Sequence, residues 1–257
     1  MQKRDLPIGV FDSGVGGASV LKELIRILPC EDFLYLGDSK NAPYGTKNHE
    51  EILRHSLNCA SYLADKGIKA LVVACNTATS VCIEDLRAKY GSVMPIVGIE
   101  PALKPAVEFH TGATVLVMAT PLTLKENKFL KLCENYREKA NIIPLPCPGL
   151  MELIESGHIS DEVTEAFLRE LFSQNNIPAP DSVVLGCTHY PFAADAIRRI
   201  FPHTEIYDGG EGTARQLKRL LGEHDLTTCK TEPGIVNVEN TLDSPEINNL
   251  IKKLING

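Results

Sequence analysis

Eight short apolar runs, separated by amphipathic stretches, are the feature that most constrains the fold of this 257-residue chain. The runs are predicted to be β-strands, at Ile8–Phe11, Phe33–Leu36, Leu71–Ala74, Ile96–Ile99, Val115–Ala119, Ile142–Leu145, Val183–Leu185 and Glu205–Tyr207. The first stretch between runs has the period of a helix that is buried on one face, with Leu21, Leu24, Ile25 and Leu28 at i, i+3, i+4 and i+7. Strands that alternate with helices predict an α/β fold, in which helices cover parallel sheets.

Two of the predicted strands lead into similar segments, which suggests two related halves. Residues 71–78 read Leu-Val-Val-Ala-Cys-Asn-Thr-Ala, and residues 182–189 read Ser-Val-Val-Leu-Gly-Cys-Thr-His. In each, a strand is followed by a cysteine and then a threonine. A cysteine just past the carboxyl end of a parallel strand lies where such sheets bind ligands. We therefore expect two domains that each present one such cysteine, Cys75 and Cys187, with the halves facing each other.

The same pattern predicts where the two domains begin and end. The first domain is expected to comprise residues 1–98 and 209–257, and the second residues 99–208. The chain would leave the first domain near Pro101–Thr111 and return to it near Asp208–Gly212. No long linker or low-complexity segment separates the two, so they should be tightly connected.

Composition argues against several classes of protein. The formal net charge is -7, and Lys and Arg are dispersed, so no basic surface for nucleic acid or an anionic membrane is expected. No stretch approaches the length of a membrane span, and residues 1–7 lack the apolar region of a signal peptide. These features predict a cytoplasmic protein, in which the eight cysteines stay reduced. With no Cys-x-x-Cys pair and no Cys/His cluster of zinc-binding spacing, no metal site is predicted.

A glycine-rich loop, Asp12–Gly17, follows the first predicted strand. Such a strand-to-helix loop can present backbone N–H groups to a carboxylate or phosphate. A dinucleotide-binding loop would have glycine at positions 14, 16 and 19, but residue 19 is Ser19. Because Asp38 lies about where a ribose-binding acid is expected, nicotinamide binding remains an alternative.

The two strand-end cysteines are the sharper chemical signal. Each is followed by a polar segment that is predicted to start a helix. A free thiol with a pKa of about 8.5 is only slightly ionised at neutral pH, and the positive end of a helix commonly lowers that pKa. Each cysteine alone could be a packing residue, but the paired contexts favour function. His189 lies two residues after Cys187 and is a candidate partner for it. Asp12 ends the first strand, where its charge would oppose a thiolate unless it holds an ammonium group, which suggests an amine substrate.

Other candidate residues carry weaker signals when taken one at a time. The segment Pro43–Gly45 is predicted to be a turn whose backbone could contact a second carboxylate. Thr120 and Thr123 follow the strand that ends at Ala119, and Glu155 lies on a helical stretch. By itself, each would be an ordinary cap or surface residue.

Taken together, five short motifs resemble the signature set of glutamate racemases in the aspartate/glutamate racemase family. They are Phe11–Gly17, Gly37–Asp38, Pro43–Gly45, Ala74–Thr77 and Gly186–His189. They occur in the expected order across almost the whole chain, and Asp-Ser-Gly-Val-Gly-Gly favours glutamate racemases over aspartate racemases. The sequence departs from the family pattern at Lys40–Asn41, where many members carry Ala-Arg, and at Glu152, where Pro is common.

The resemblance implies an enzyme that interconverts L-glutamate and D-glutamate without a cofactor. It implies two pseudo-symmetric α/β domains with the active site in the cleft between them. The D-glutamate would supply peptidoglycan synthesis, and hence cell wall biogenesis and cell shape. The expected partners are L- and D-glutamate, with no nucleic acid and no membrane, and a homodimer is one of the oligomeric states left open.

The resemblance also implies residue roles. Cys75 would remove the α-proton from D-glutamate and Cys187 from L-glutamate, assisted by Asp12 and His189 respectively. The implied substrate contacts are Asp12 and Ser13 for the ammonium group, Asn76, Thr77 and Thr188 for the α-carboxylate, Tyr44 and Gly45 for the side-chain carboxylate, and His189. The implied supporting residues are Asp38, Thr120, Thr123 and Glu155.

Four alternatives stay open on the sequence. An aspartate racemase or a thiol-dependent decarboxylase could use a similar scaffold, although loss of the second cysteine would favour the decarboxylase and both cysteines are present. A nicotinamide-dependent oxidoreductase would bind NADH. A non-catalytic amino-acid-binding protein would keep its physiological activity after mutation of either cysteine.

Overall fold

The computed structural model describes residues 2–108 and 112–256. Residues 109–111, which belong to the predicted break between domains, lie outside the described residues. The chain forms two compact units, one of residues 1–100 with 210–257 and the other of residues 101–209. Among the described residues, no helix has the length and hydrophobicity needed to cross a bilayer.

Strands and helices alternate along the chain, as the apolar pattern predicts. The strands of the described residues are β1 Ile8–Asp12, β2 Phe33–Gly37, β3 Ala70–Val73, β4 Ile96–Gly98, β5 Thr114–Ala119, β6 Asn141–Pro146, β7 Ser182–Gly186, β8 Glu205–Asp208 and β9 Val236–Asn240. The α-helices are α1 Ala18–Ile27, α2 His49–Asp65, α3 Asn76–Tyr90, α4 Leu103–Glu108, α5 Pro121–Lys125, α6 Asn127–Glu134, α7 Leu150–Glu155, α8 Glu162–Gln174, α9 Ala194–Ile200, α10 Gly210–Glu223 and α11 Pro245–Asn256. Short 3-10 helices are formed by Lys3–Asp5, Ser39–Asn41, Tyr44–Thr46 and Tyr190–Ala193.

The first unit contains a five-stranded sheet in the order β4-β3-β1-β2-β9. Every pair is parallel, with Ile8 beside Phe33 on one side and Ala70 on the other. All residues of β1, β2 and β3 are buried, which is why these strands are apolar except for Asp12 at the end of β1. Helix α1 packs on α10 and α11, and α2 packs on α3.

The second unit contains a four-stranded parallel sheet in the order β6-β5-β7-β8. Both faces of this sheet are covered. Leu116 and Met118 pack with residues of α7, α8 and α9, whereas Val115 and Val117 pack with residues of α4 and α6. Successive residues of β5 therefore point to opposite sides, as strand geometry requires. The predicted α/β fold of two parallel-sheet domains is confirmed.

Strand β9 was not predicted, whereas the other eight strands were. It lies at the edge of the first sheet, where Val236 pairs with Phe33. An edge strand is only partly covered, so it needs few apolar residues, and β9 has only Val236 and Val238. An isolated pair of valines is too weak a signal to distinguish a strand from a loop.

The carboxyl ends of β1 and β2 approach each other closely because glycines lie there. A Cβ atom on Gly17 would lie 2.5 Å from Cβ of Asp12 and 2.8 Å from the Tyr35 hydroxyl. On Gly37 it would lie 2.7 Å from the carbonyl oxygen of Gly14. All three distances are far below van der Waals contact, so a larger side chain at Gly17 would displace Asp12 or Tyr35, and one at Gly37 would push the loop after β1 away.

Candidate active site

Three candidate residues of the first unit lie at one edge of its sheet. Asp12 ends β1, Asp38 follows β2, and Cys75 follows β3 by two residues. Because these strands are neighbours and parallel, their carboxyl ends meet at the same edge. All three side chains are buried.

Cys75 caps the N-terminus of α3. Its Sγ accepts a hydrogen bond from the backbone N–H of Ala78 at 3.4 Å and lies 3.5 Å from Oγ of Ser13. The helix that starts here has 15 residues, and its positive end favours negative charge on the thiol. The predicted helix start after this cysteine is confirmed.

One amide of the loop after β1 and the first two amides of α1 make internal hydrogen bonds. The N–H of Gly14 donates to the Asp12 carboxylate at 3.1 Å, and those of Ala18 and Ser19 donate to carbonyl oxygens of Val15 and Gly16. These three amides are therefore not directed at an external anion. This arrangement does not favour a phosphate site here, which was one interpretation of the glycine-rich sequence.

Asn76, in the first turn of α3, has a buried side chain whose amide nitrogen and oxygen both lack a hydrogen-bond partner. Thr77 beside it is buried as well. Burying an unpaired amide costs free energy, about 1–3 kcal/mol in proteins. A buried amide next to a candidate reactive thiol is therefore a feature that a bound polar ligand would complete.

Asp38 and Tyr44 form a second polar group of the first unit. The Tyr44 hydroxyl donates to Oδ2 of Asp38 at 2.7 Å, and Nδ2 of Asn41 donates to both carboxylate oxygens at 3.0 and 3.1 Å. Burial, together with Cys59 and Asp38, raises the pKa of Tyr44 far above its usual value. The phenol therefore stays protonated and acts as the donor.

The predicted turn at Pro43–Gly45 is confirmed, because Tyr44–Thr46 forms a 3-10 helix. This 3-10 helix packs against α3, the helix that begins after Cys75. Two neighbours of this group, Asn41 and Cys59, were not predicted. Neither residue type carries a strong signal, and only the fold brings Cys59 of α2 beside Asp38 and Tyr44.

The candidate residues of the second unit also gather at the carboxyl ends of neighbouring strands. Thr120 follows β5 and Cys187 follows β7, and the last residues of those strands, Ala119 and Gly186, are paired. Thr120 caps α5, accepting from the N–H of Thr123 at 3.2 Å, and the two hydroxyls are 2.9 Å apart.

Cys187, His189 and Glu155 form a connected series. Sγ of Cys187 lies 3.8 Å from Nδ1 of His189, and Nε2 of the same ring lies 3.0 Å from Oε1 of Glu155. An ionised carboxylate only accepts hydrogen bonds, so in a neutral ring Nε2 carries the proton. Nδ1 is then left as a base that faces the thiol.

After Cys187, the predicted helix-starting segment forms a 3-10 helix before the α-helix rather than the first turn of an α-helix. Thr188 and His189 come first, followed by a four-residue 3-10 helix, and α9 starts only at Ala194. The buried Tyr190 donates its hydroxyl to the carbonyl oxygen of Cys147 at 3.2 Å, which anchors the 3-10 segment. No α-helix therefore begins at this thiol as one does at Cys75, and His189 is the base that faces it.

The structure thus brings the candidate residues together in two groups. The group of the first unit comprises Asp12, Ser13, Asp38, Tyr44, Gly45, Cys75, Asn76 and Thr77, and that of the second unit comprises Thr120, Thr123, Glu155, Cys187, Thr188 and His189. Within the described residues, no cluster of three or more His, Cys, Asp and Glu side chains is arranged to hold a metal ion.

Comparisons with known proteins match the whole chain. The family model described as Asp/Glu/Hydantoin racemase matches residues 8–217. The glutamate racemase of Clostridium botulinum strain Hall is 52% identical over 257 residues, which is 100% of this chain and 99% of that protein.

Two solved structures resemble the chain at lower identity. The Francisella tularensis glutamate racemase in complex with D-glutamate has a TM-score of 0.85 at 28% identity, covering 99% of this chain and 95% of that chain. The Escherichia coli glutamate racemase in complex with L-glutamate and the activator UDP-MurNAc-ala has a TM-score of 0.83 at 29% identity, covering 97% and 95%.

The unpaired amide of Asn76 predicts opposite effects for two matched substitutions. Asn76→Leu should raise the free energy of unfolding by about 1–2 kcal/mol, because it removes two unsatisfied polar atoms from a buried position. Asn240→Leu should lower it by about 1–3 kcal/mol. Asn240 is also buried, but its amide donates to Oγ of Ser39 at 2.7 Å and accepts from the N–H of Leu242 at 2.9 Å.

Urea unfolding of the ligand-free proteins measures both changes. If Asn76→Leu destabilises the protein as much as Asn240→Leu does, the Asn76 amide is satisfied without a ligand and the interpretation is wrong.

Proposed function

The chain belongs to the Asp/Glu/hydantoin racemase family, and on this premise we propose that it is a glutamate racemase that interconverts L-glutamate and D-glutamate by a two-thiol mechanism without a cofactor. The observation that carries the proposal is the pair of buried cysteines that follow equivalent strands, Cys75 after β3 and Cys187 after β7. Each is accompanied by polar groups suited to proton transfer. Relatives that match the full length of the chain are named glutamate racemase.

Two thiols suit this reaction because racemisation inverts a stereocentre. A base must remove the α-proton on one face of Cα while an acid delivers a proton to the other face. One thiolate and one thiol meet this requirement, and they exchange roles when the reaction runs in the opposite direction. Cys75 would act as the base toward D-glutamate and Cys187 toward L-glutamate. In this mechanism, both thiols must reach the same Cα atom.

The two thiols would be activated in different ways. Cys75 lies at the positive end of α3, which favours its thiolate. Cys187 faces Nδ1 of His189, whose ring is held by Glu155, so the imidazole can take up the thiol proton and return it. Asp12 would assist Cys75 and, with Ser13, hold the substrate ammonium group.

The substrate carboxylates would be held by groups at the strand ends. The unpaired amide of Asn76, together with Thr77 and Thr188, would bind the α-carboxylate and stabilise the negative charge that develops there as the α-proton leaves. The backbone N–H groups of Tyr44 and Gly45 would bind the side-chain carboxylate, because the Tyr44 hydroxyl donates its one proton to Asp38. Asp38 supports Tyr44 through the 2.7 Å hydrogen bond, and Thr120 and Thr123 would line the second half of the site.

In the cell, the proposed product is D-glutamate for peptidoglycan synthesis, made in the cytoplasm. A nicotinamide-dependent reaction is less well supported, because the amides of Gly14, Ala18 and Ser19 make hydrogen bonds within this segment rather than to a phosphate.

Replacement of either thiol tests the proposal directly. Cys75→Ala and Cys187→Ala should each lower kcat/KM for glutamate racemisation by at least about 10³-fold, because one face of Cα then lacks its proton donor or acceptor. Loss of the circular dichroism signal of L- or D-glutamate measures the reaction. Cys229→Ala is the matched control, because Cys229 is exposed and lies outside both groups, and it should retain full activity.

If wild type leaves the signal of both enantiomers unchanged, the proposed function is wrong. If Cys187→Ala racemises glutamate like wild type, the two-thiol mechanism is wrong.

Glu155→Gln tests whether the series of Cys187, His189 and Glu155 assists one proton transfer. The substitution weakens a charge-assisted hydrogen bond to His189, so kcat/KM should fall about tenfold. The fall must be equal in both directions, because the two enantiomers have equal free energy. The proton transfer at Cys187 then limits the rate more strongly than the transfer at Cys75. The kinetic isotope effect with α-deuterated L-glutamate should rise, because Cys187 removes that deuterium. The effect with α-deuterated D-glutamate should fall, because Cys75 removes that one.

Ser156 follows Glu155 and is exposed, so Ser156→Ala is a suitable control and should change neither isotope effect. If Glu155→Gln changes both isotope effects equally, Glu155 does not act specifically through Cys187.

A further inference from the structure

The buried Asp38 carboxylate is held by neutral hydrogen-bond donors rather than by a cation. It is 1% exposed, and no ion pair to it occurs in the described part of the chain. Its hydrogen bonds come instead from neutral groups, the Tyr44 hydroxyl at 2.7 Å and the Asn41 amide at 3.0 and 3.1 Å. Because one amide group contacts both carboxylate oxygens, Asn41 fixes the plane of the carboxylate as well as its position.

We propose that Asn41 is a positioning residue that sets the affinity for the side-chain carboxylate of glutamate, by holding Asp38 in the orientation that fixes Tyr44. This inference rests on the proposed function. Tyr44 and Gly45 are the proposed contacts of that carboxylate, and the Tyr44 ring is fixed at its outer end by Asp38. Asn41 itself would not touch the substrate.

The segment around Asn41 is held by hydrogen bonds that do not involve the Asn41 side chain. The N–H of Lys40 donates to Oγ1 of Thr241 at 3.0 Å, and Nδ2 of Asn240 donates to Oγ of Ser39 at 2.7 Å. The N–H of Asn41 donates to the carbonyl oxygen of Asp38 at 3.0 Å. The 3-10 helix should therefore survive truncation of the Asn41 side chain, which separates positioning from folding.

A cavity of about 450 Å³ lies beside this group, lined among others by Asp38, Asn41, His55 and Cys59. Without the Asn41 amide, water can enter from this cavity and hydrate the carboxylate. Water satisfies the hydrogen-bonding capacity of Asp38 but does not fix its orientation, because a water molecule is free to move. The hydroxyl of Tyr44 then loses its fixed acceptor, and the turn that carries Gly45 becomes less well positioned.

The expected effect is on substrate affinity rather than on proton transfer. The side-chain carboxylate is separated from Cα, where the proton transfers take place, by two methylene groups. Loss of the amide should therefore raise KM for both enantiomers by about tenfold, the factor expected for one hydrogen bond to a charged group. The value of kcat should stay within about twofold of wild type.

Steady-state kinetics of three full-length variants test this. Asn41→Ala removes the donor. Asn41→Asp keeps the size of the side chain but replaces the donor by a second carboxylate, so it should raise KM more than Asn41→Ala does. Asn58→Ala is the control, because Asn58 lines the same cavity and is exposed, and its KM and kcat should equal those of wild type.

If Asn41 had only a structural role, its variants would have a lower kcat or a lower thermal midpoint of unfolding. KM would then not rise from wild type to Asn41→Ala and further to Asn41→Asp. The proposal is overturned if KM of both Asn41 variants stays within about twofold of wild type, or if kcat falls while KM does not change. It is also overturned if neither Asn41 variant folds, as judged by thermal unfolding, because Asn41 is then a folding residue. Failure of the proposed function is a separate outcome, in which wild type and Asn58→Ala do not racemise glutamate.

Discussion

The alignment of parallel strand ends is the constraint on which both groups of candidate residues depend. Parallel pairing places the carboxyl ends of β1, β2 and β3 at one edge, and it does the same for β5 and β7 in the second unit. Polar residues that are far apart in sequence therefore meet without any long loop. The absence of side chains at Gly17 and Gly37 lets the loops after β1 and β2 approach closely, so Asp12 and Asp38 are both buried.

Burial of such polar side chains lowers the stability of the folded protein, and the proposed function gives a reason for that cost. An unpaired amide at Asn76 and a carboxylate at Asp38 held only by neutral donors are unfavourable in a folded protein considered by itself. Both are understandable if the edge of the sheet is built to bind a zwitterion with two carboxylates. The two thiols also differ in environment, since a helix terminus adjoins Cys75 and a histidine adjoins Cys187. Two thiols that must exchange the roles of acid and base do not need identical surroundings, only comparable access to both protonation states.

Most of the strands and candidate site residues could be predicted from the sequence. The features that could not be predicted have identifiable physical reasons. Apolar runs predicted eight strands, among them the partly exposed β6 and β8, but β9, with only two separated valines, lacked that signal. The helix start after Cys75 was predicted from local sequence, whereas the 3-10 segment after Cys187 depends on Tyr190 and its distant partner Cys147. The pairing of His189 with Glu155 spans 34 residues, so no spacing rule could identify it, and the family resemblance placed Glu155 only among the supporting residues.

The central claim is that two thiols act on opposite faces of one carbon, and the fate of the α-hydrogen tests it most directly. D-Glutamate is converted by wild-type protein in deuterated water, and both enantiomers are recovered at low conversion for mass spectrometry. The account predicts that L-glutamate carries deuterium at Cα while the remaining D-glutamate stays largely protonated, because the donor thiol has exchanged with solvent and the acceptor thiol holds the substrate's own proton. Deuterium that enters recovered D-glutamate as fast as it enters L-glutamate would contradict the account, since a single base would then serve both faces.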